Sequence, residues 1–82
     1  MPKSDRDEWS APYCGVSHRV PPEAPHIRQL TISAYETFVS AYALPKGSLI
    51  ALAERTFLRA DYPDAEQAAK DWLDRFSGGG QV

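Results

Sequence analysis

Between Ile27 and Glu36 the spacing of the apolar residues changes, and no other stretch of the chain limits the fold as strongly. Leu30 and Ile32 alternate with Gln29, Thr31 and Ser33, the pattern of a short strand with one buried and one open face, so a strand is predicted over residues 27–32. From Ser33 onward the spacing reads as helical. Ser33-Ala34-Tyr35-Glu36 matches a capping box, in which the Ser33 hydroxyl accepts from the Glu36 amide and the Glu36 carboxylate accepts from the Ser33 amide. That places a first helix over residues 34–43. Ala34, Phe38 and Ala41 form one stripe on it and Tyr35, Val39 and Tyr42 another, leaving Glu36, Thr37 and Ser40 for solvent. A surface helix needs an apolar stripe only about 100° wide. The excess predicts a second covering surface.

Leu44-Pro45-Lys46-Gly47-Ser48 reads as a turn, because the residue before a proline resists the helical region and Pro45 suits the opening of a helix. Leu49, Leu52, Ala53, Thr56, Phe57 and Ala60 then follow i, i+3, i+4 spacing, which predicts a second helix over residues 46–60 with Glu54, Arg55 and Arg59 outward. Asp61-Tyr62-Pro63 breaks it. Asp64 offers a side-chain cap, and Ala65, Ala68, Ala69, Trp72, Leu73 and Phe76 form the stripe of a third helix over residues 64–76. The glycines 78 to 80 end it, and residues 78–82 read as a flexible tail. The expected fold is mainly α: one short strand and three short helices in a single domain, residues 26–77, behind an extended arm.

That arm, residues 1–25, holds five of the seven prolines (Pro2, Pro12, Pro21, Pro22, Pro25) and favours extended backbone, with a short edge strand allowed between Tyr13 and Val20. Trp9, Tyr13, Val16 and Val20 recur along it as anchors for a core or for a partner. With 82 residues and no disulfide, the chain has little core to spare, so a homodimer through Leu30, Ile32, Phe38, Val39 and Tyr42 is expected.

Nine Lys and Arg against eleven Asp and Glu give a net charge of −2, which provides no general attraction to nucleic acid or to an anionic membrane. No run approaches a membrane span, the first eight residues are too charged for a secretory leader, and the lone Cys14 suits a reducing compartment; a cytoplasmic protein without membrane partners is expected. Cys14, His18 and His26 lack the paired spacing and the fourth ligand of a structural zinc site. No nucleophile–base pair stands on a rigid scaffold, and no glycine-rich phosphate cradle is present. Neither catalysis, cofactor nor metal is expected.

The order strand, capped helix, turn, helix over residues 27–60 resembles the ribbon-helix-helix family of small dimeric DNA-binding regulators and antitoxins. The resemblance implies a strand paired with its two-fold mate, with Gln29, Thr31 and Ser33 toward the major groove, Arg28 at the edge and Lys46 near phosphate. The ribbon is weakly basic, and the preferred expectation is instead a non-catalytic regulator acting by stoichiometric binding to a protein, such as an anti-activator or antitoxin-like modulator of a transcription factor. Trp9, Tyr13, Tyr35, Phe38, Val39 and Tyr42 are its candidate contacts, because aromatic side chains dominate interface hot spots.

Overall fold

Residues 38–44 read Phe-Val-Ser-Ala-Tyr-Ala-Leu, and their alternation, not their helical stripes, decides the structure: Val39, Ala41 and Ala43 are buried while Phe38, Ser40, Tyr42 and Leu44 are half-buried on the other side. The structure, a computed structural model, describes residues 9–78. Its elements in chain order are β1 (Val16–Arg19), β2 (Ile27–Ala34), β3 (Phe38–Pro45), β4 (Ala53–Leu58) and α1 (Ala65–Ser77). Each strand pairs antiparallel with the next, so the sheet is a four-stranded meander in the order β1-β2-β3-β4. The helix lies across β2, β3 and β4 on one face.

The mainly α expectation is therefore overturned. Residues 34–43 form no helix: Ser33 continues β2, Glu36 and Thr37 make a tight turn closed by the Tyr35 amide donating to the Phe38 carbonyl at 2.8 Å, and β3 returns beside β2. Residues 46–60 form no helix either. They hold a long loop and β4, in which Ala53, Arg55 and Phe57 point to the helix side and Glu54, Thr56 and Leu58 to the opposite face. The strand expected over 27–32 lies within β2, and the third helix does form as α1, with the Asp64 carboxylate accepting from the Gln67 amide at 3.2 Å. Of the expected tail, residues 79–82 lie outside the described residues, as do residues 1–8 of the arm.

The core fills the space between α1 and the sheet. Leu30, Ile32, Val39, Ala41, Ala43 and Phe57 meet Ala65, Ala69 and Leu73, and the alanines let the helix approach the sheet closely. Leu30, Ile32 and Val39, expected at a dimer interface, are consumed within the single chain. A slip in the β2–β3 register between Ile27 and Gln29 turns Ile27 into this core and expels Arg28 to solvent, against strict alternation.

The helix does not reach β1, and a polar clip closes that flank. The Arg19 guanidinium donates two bonds to Glu23, at 3.0 and 3.1 Å, and one to Asp74 of α1 at 3.0 Å. The Ser77 hydroxyl donates to Glu23 at 2.6 Å, and Trp9 Nε1 donates to Asp74 at 3.2 Å. Residues 9–25 of the arm thus pack on their own chain. They also cover the outer edge of β1: Tyr13 and Val16 exchange both backbone bonds, the Ser10 amide donates to the His18 carbonyl at 2.8 Å, and the His18 amide donates to Ser10 Oγ at 3.0 Å. Between Tyr13 and Val16 the backbone reverses through Cys14 (φ 52°) and Gly15 (φ 80°), both left-handed as a two-residue type I′ turn requires.

Two tests probe these features. A Cβ on Gly15 would sit 2.9 Å from the Ala34 carbonyl oxygen, so Gly15→Ala is expected to destabilise by more than about 1 kcal/mol in urea titration, whereas Cys14→Asn, which creates the preferred Asn-Gly pair, holds or raises stability. Burial pushes the Glu23 carboxyl up, but hydrogen bonds from Arg19 and Ser77 and the Arg19 charge outweigh it and hold the group below its ordinary value. A carboxylate with a depressed folded-state pKa contributes stability above its unfolded pKa and loses it as the pH falls through the folded one. Acid titration of the melting temperature should therefore show a loss in the acidic range that Glu23→Gln largely removes.

Candidate functional site

Three large aliphatic side chains stand in solvent on the loop between β3 and β4: Leu49 is 90% exposed, Ile50 79% and Leu52 49%. The loop has few internal ties, chiefly the Ile50 amide to Ser48 Oγ at 3.1 Å and the Leu52 amide to the Ala43 carbonyl at 2.8 Å. The Lys46 amide donates to the His26 carbonyl at 3.0 Å, which brings the end of the β1–β2 loop to the same end of the sheet. Exposed Arg28 and Lys46 lie at this same end of the sheet, and neither has an ion pair among the described residues. Single exposed leucines need no explanation, but three large aliphatic side chains within four residues mark a surface for another molecule.

The sheet face away from α1 is the second exposed surface. The strand registers align His18, Thr31, Tyr42 and Glu54 across all four strands, with Ser33, Ser40 and Thr56 in the neighbouring row. Gln29 Nε2 lies 3.0 Å from His18 Nδ1 and donates to Thr31 Oγ1 at 2.9 Å, and Thr31 is buried beneath these neighbours. These polar groups satisfy one another. The face is a hydroxyl- and amide-bearing surface, with aromatic groups at one end where Tyr35 stacks on Phe38 at 4.7 Å.

The residues singled out from the sequence are dispersed over the fold. Tyr13, Tyr35 and Phe38 lie at the sheet end that carries the Cys14-Gly15 and Glu36-Thr37 turns, and Tyr42 lies mid-face. Trp9 is half-buried against the core with its indole bonded to Asp74, an internal anchor. Val39 is fully buried beneath α1 and has no surface to offer. Of the residues read as groove-facing, Gln29, Thr31 and Ser33 share the open face on an interior strand paired on both sides, while Arg28 and Lys46 sit at the aliphatic end. Residues 27–60, which carried the strand–helix–helix resemblance, form β2, β3 and β4.

Cys14 and His26 stand at opposite ends of β2, separated by its eight residues, roughly 25 Å at about 3.3 Å each, so with His18 they form no common site. Among the described residues no three His, Cys, Asp or Glu side chains converge as metal ligands, and no helix is long and apolar enough to cross a membrane. The aliphatic loop escaped the sequence reading because Leu49, Leu52 and Ala53 fit a helical stripe. Its signal was the unbroken run Leu49-Ile50-Ala51-Leu52-Ala53 directly after Gly47-Ser48, which lacks the polar interruptions of an amphipathic helix. Comparison with protein-family models, with curated proteins and with solved structures finds no match to this protein.

Because Leu49 and Ile50 touch little of their own chain, the double substitution Leu49→Ser, Ile50→Ser should leave unfolding free energy within about 0.5 kcal/mol of the parent. Chemical denaturation followed by circular dichroism measures this. A larger loss would mean that the loop packs on the fold.

Proposed function

We propose that this protein is a small non-catalytic binding module that acts by stoichiometric association with another protein, in the manner of a regulator that masks a partner such as a transcription factor. The observation that carries the reading is the exposed aliphatic loop, Leu49, Ile50 and Leu52. Full burial of a Leu or Ile contributes about 1.5–3 kcal/mol. Three of them therefore supply a substantial share of the roughly 8 kcal/mol of a micromolar complex, before the cost of association is counted. The exposed Arg28 and Lys46 at the same end of the sheet favour a partner surface that carries acidic groups beside an apolar centre.

Of the apolar residues that favoured a homodimer, Leu30, Ile32 and Val39 lie in the monomer core while Phe38 and Tyr42 are half-buried on the open sheet face, and the reading does not require a homodimer. A single exposed Cys14 is compatible with action in the cytoplasm. Affinity capture from native lysate, with the wild-type protein and the Leu49→Ser, Ile50→Ser variant in parallel, tests the proposal. The wild type should retain a defined protein that the folded variant loses, with affinity reduced by about 2 kcal/mol or more. Equal retention by both would remove the loop from the account, and retention by neither would remove the partner.

A further inference from the structure

The two outer edges of the sheet are treated differently. Successive residues of an antiparallel strand direct their backbone N–H and C=O groups alternately to one neighbour and to the other. The Ala34 amide bonds Gly15, the Tyr35 amide bonds Phe38 and the Arg59 amide bonds Thr37, which together fix the phase across the sheet. In that phase β1 turns Val16 and His18 outward, and all four of their backbone groups are met by Tyr13 and Ser10. On β4 the outward residues are Glu54, Thr56 and Leu58. The Leu58 carbonyl accepts from the Asp61 and Tyr62 amides, but the backbone groups of Glu54 and Thr56 and the Leu58 amide have no partner among the described residues.

We infer that β4 is a docking edge that takes an extended segment of a partner protein as a fifth strand, with a carboxylate of that segment on Arg55. Strand addition here presupposes the protein-binding reading above and gives its mode. Arg55 lies on the helix side of the same edge, its guanidinium 4.7 Å from the Phe57 ring centroid and held by the Tyr62 hydroxyl at 2.9 Å, and it has no carboxylate partner among the described residues. The opposite side of the edge presents the exposed Glu54 and Thr56 and the half-exposed Leu58, so the carboxylate of the segment belongs on the Arg55 side and not opposite Glu54. A fitting segment alternates β-branched or aromatic residues, which lie over Thr56 and Leu58, with an Asp or Glu that meets Arg55.

A second copy fits this edge poorly. Self-pairing in antiparallel register must match outward residue to outward residue. Glu54 against Thr56 of the copy sets Arg55 opposite Arg55 on the two-fold axis, and Glu54 against Glu54 places like carboxylates there. The next register uses Leu58, whose carbonyl is already taken. Charge and hydrogen bonding together favour a different protein bearing the opposite sign.

The test is selection from a displayed library of random twelve-residue peptides on the full-length protein. Enriched peptides should alternate β-branched or aromatic residues around an acidic one. A synthetic copy should bind Thr56→Pro at least tenfold more weakly, since proline removes an outward amide that an edge strand does not need for its own ladder. Replacing the peptide's Asp by Asn should weaken binding to the wild type but leave binding to Arg55→Met unchanged. Hydrogen exchange on the wild type serves if Thr56→Pro does not fold: the Glu54, Thr56 and Leu58 amides should exchange freely alone and slow when peptide binds. Absence of enrichment, equal binding by a folded Thr56→Pro, or protection of those amides in the free protein that disappears on dilution would each overturn strand addition. Peptides lost only on Leu49→Ser, Ile50→Ser would overturn it while leaving the protein-binding reading intact.

Discussion

One helix must cover a sheet wider than itself. Four strands about 4.8 Å apart place the outer two roughly 14 Å from one another, while a helix with its side chains is about 10–12 Å across. Centred over β3, α1 reaches β2 and β4 and leaves β1 uncovered. The polar clip answers that shortfall: Arg19 with its side chain only 13% exposed, Glu23 from the proline loop, Asp74 and Ser77 from the helix, and the Trp9 indole from the arm. These groups sit where apolar packing ends. A buried cation beside two carboxylates and a hydroxyl keeps every partner satisfied, which a lone Arg19 under the arm would not be.

The same limit of size shapes the surfaces. With one helix available, the second face of the sheet stays open, and its central threonine is shielded by polar neighbours in place of a packed layer. The segment that precedes β1 folds back along that strand and closes one edge, but the segment that follows β4 is committed to the turn and helix, and among the described residues nothing covers the other edge. Exposed aliphatic residues on the β3–β4 loop lie just before this open edge. The two features are contiguous in sequence, so a partner segment entering along β4 passes the loop that precedes it.

How far the sequence revealed this depended on whether a residue's size forced a choice. Ala65, Ala69 and Leu73 with the Asp64 cap allowed only one reading, and α1 formed where expected. Leu30 and Ile32, flanked by Gln29, Thr31 and Ser33, favoured a strand, although Ile27, Leu30, Ala34 and Phe38 also fit a helical stripe, and β2 decides for the strand. In β3 the inward residues are Val39, Ala41 and Ala43, and two alanines fit a helical stripe as readily as an alternating one. The Ser33 and Glu36 pair, read as a cap, proved to be the end of a strand and the start of a turn; Val39-Ser40-Ala41-Tyr42-Ala43 was the competing signal. Open-edge geometry was not legible at all, since it depends on the phase of hydrogen bonding between β3 and β4, two segments whose spacing read as helical.

The clip also has a kinetic side. Each hairpin of the meander joins neighbours in sequence, so most pairing closes short loops and can form early. The bonds from Arg19 and Trp9 to Asp74 close spans of 55 and 65 residues and can form only once the helix has docked. Contacts made after the folding barrier control the rate of unfolding more than the rate of folding. The Arg19 and Trp9 bonds to Asp74 are therefore expected to slow the opening of the β1 flank, the side of the sheet that the helix does not cover, more than they speed folding.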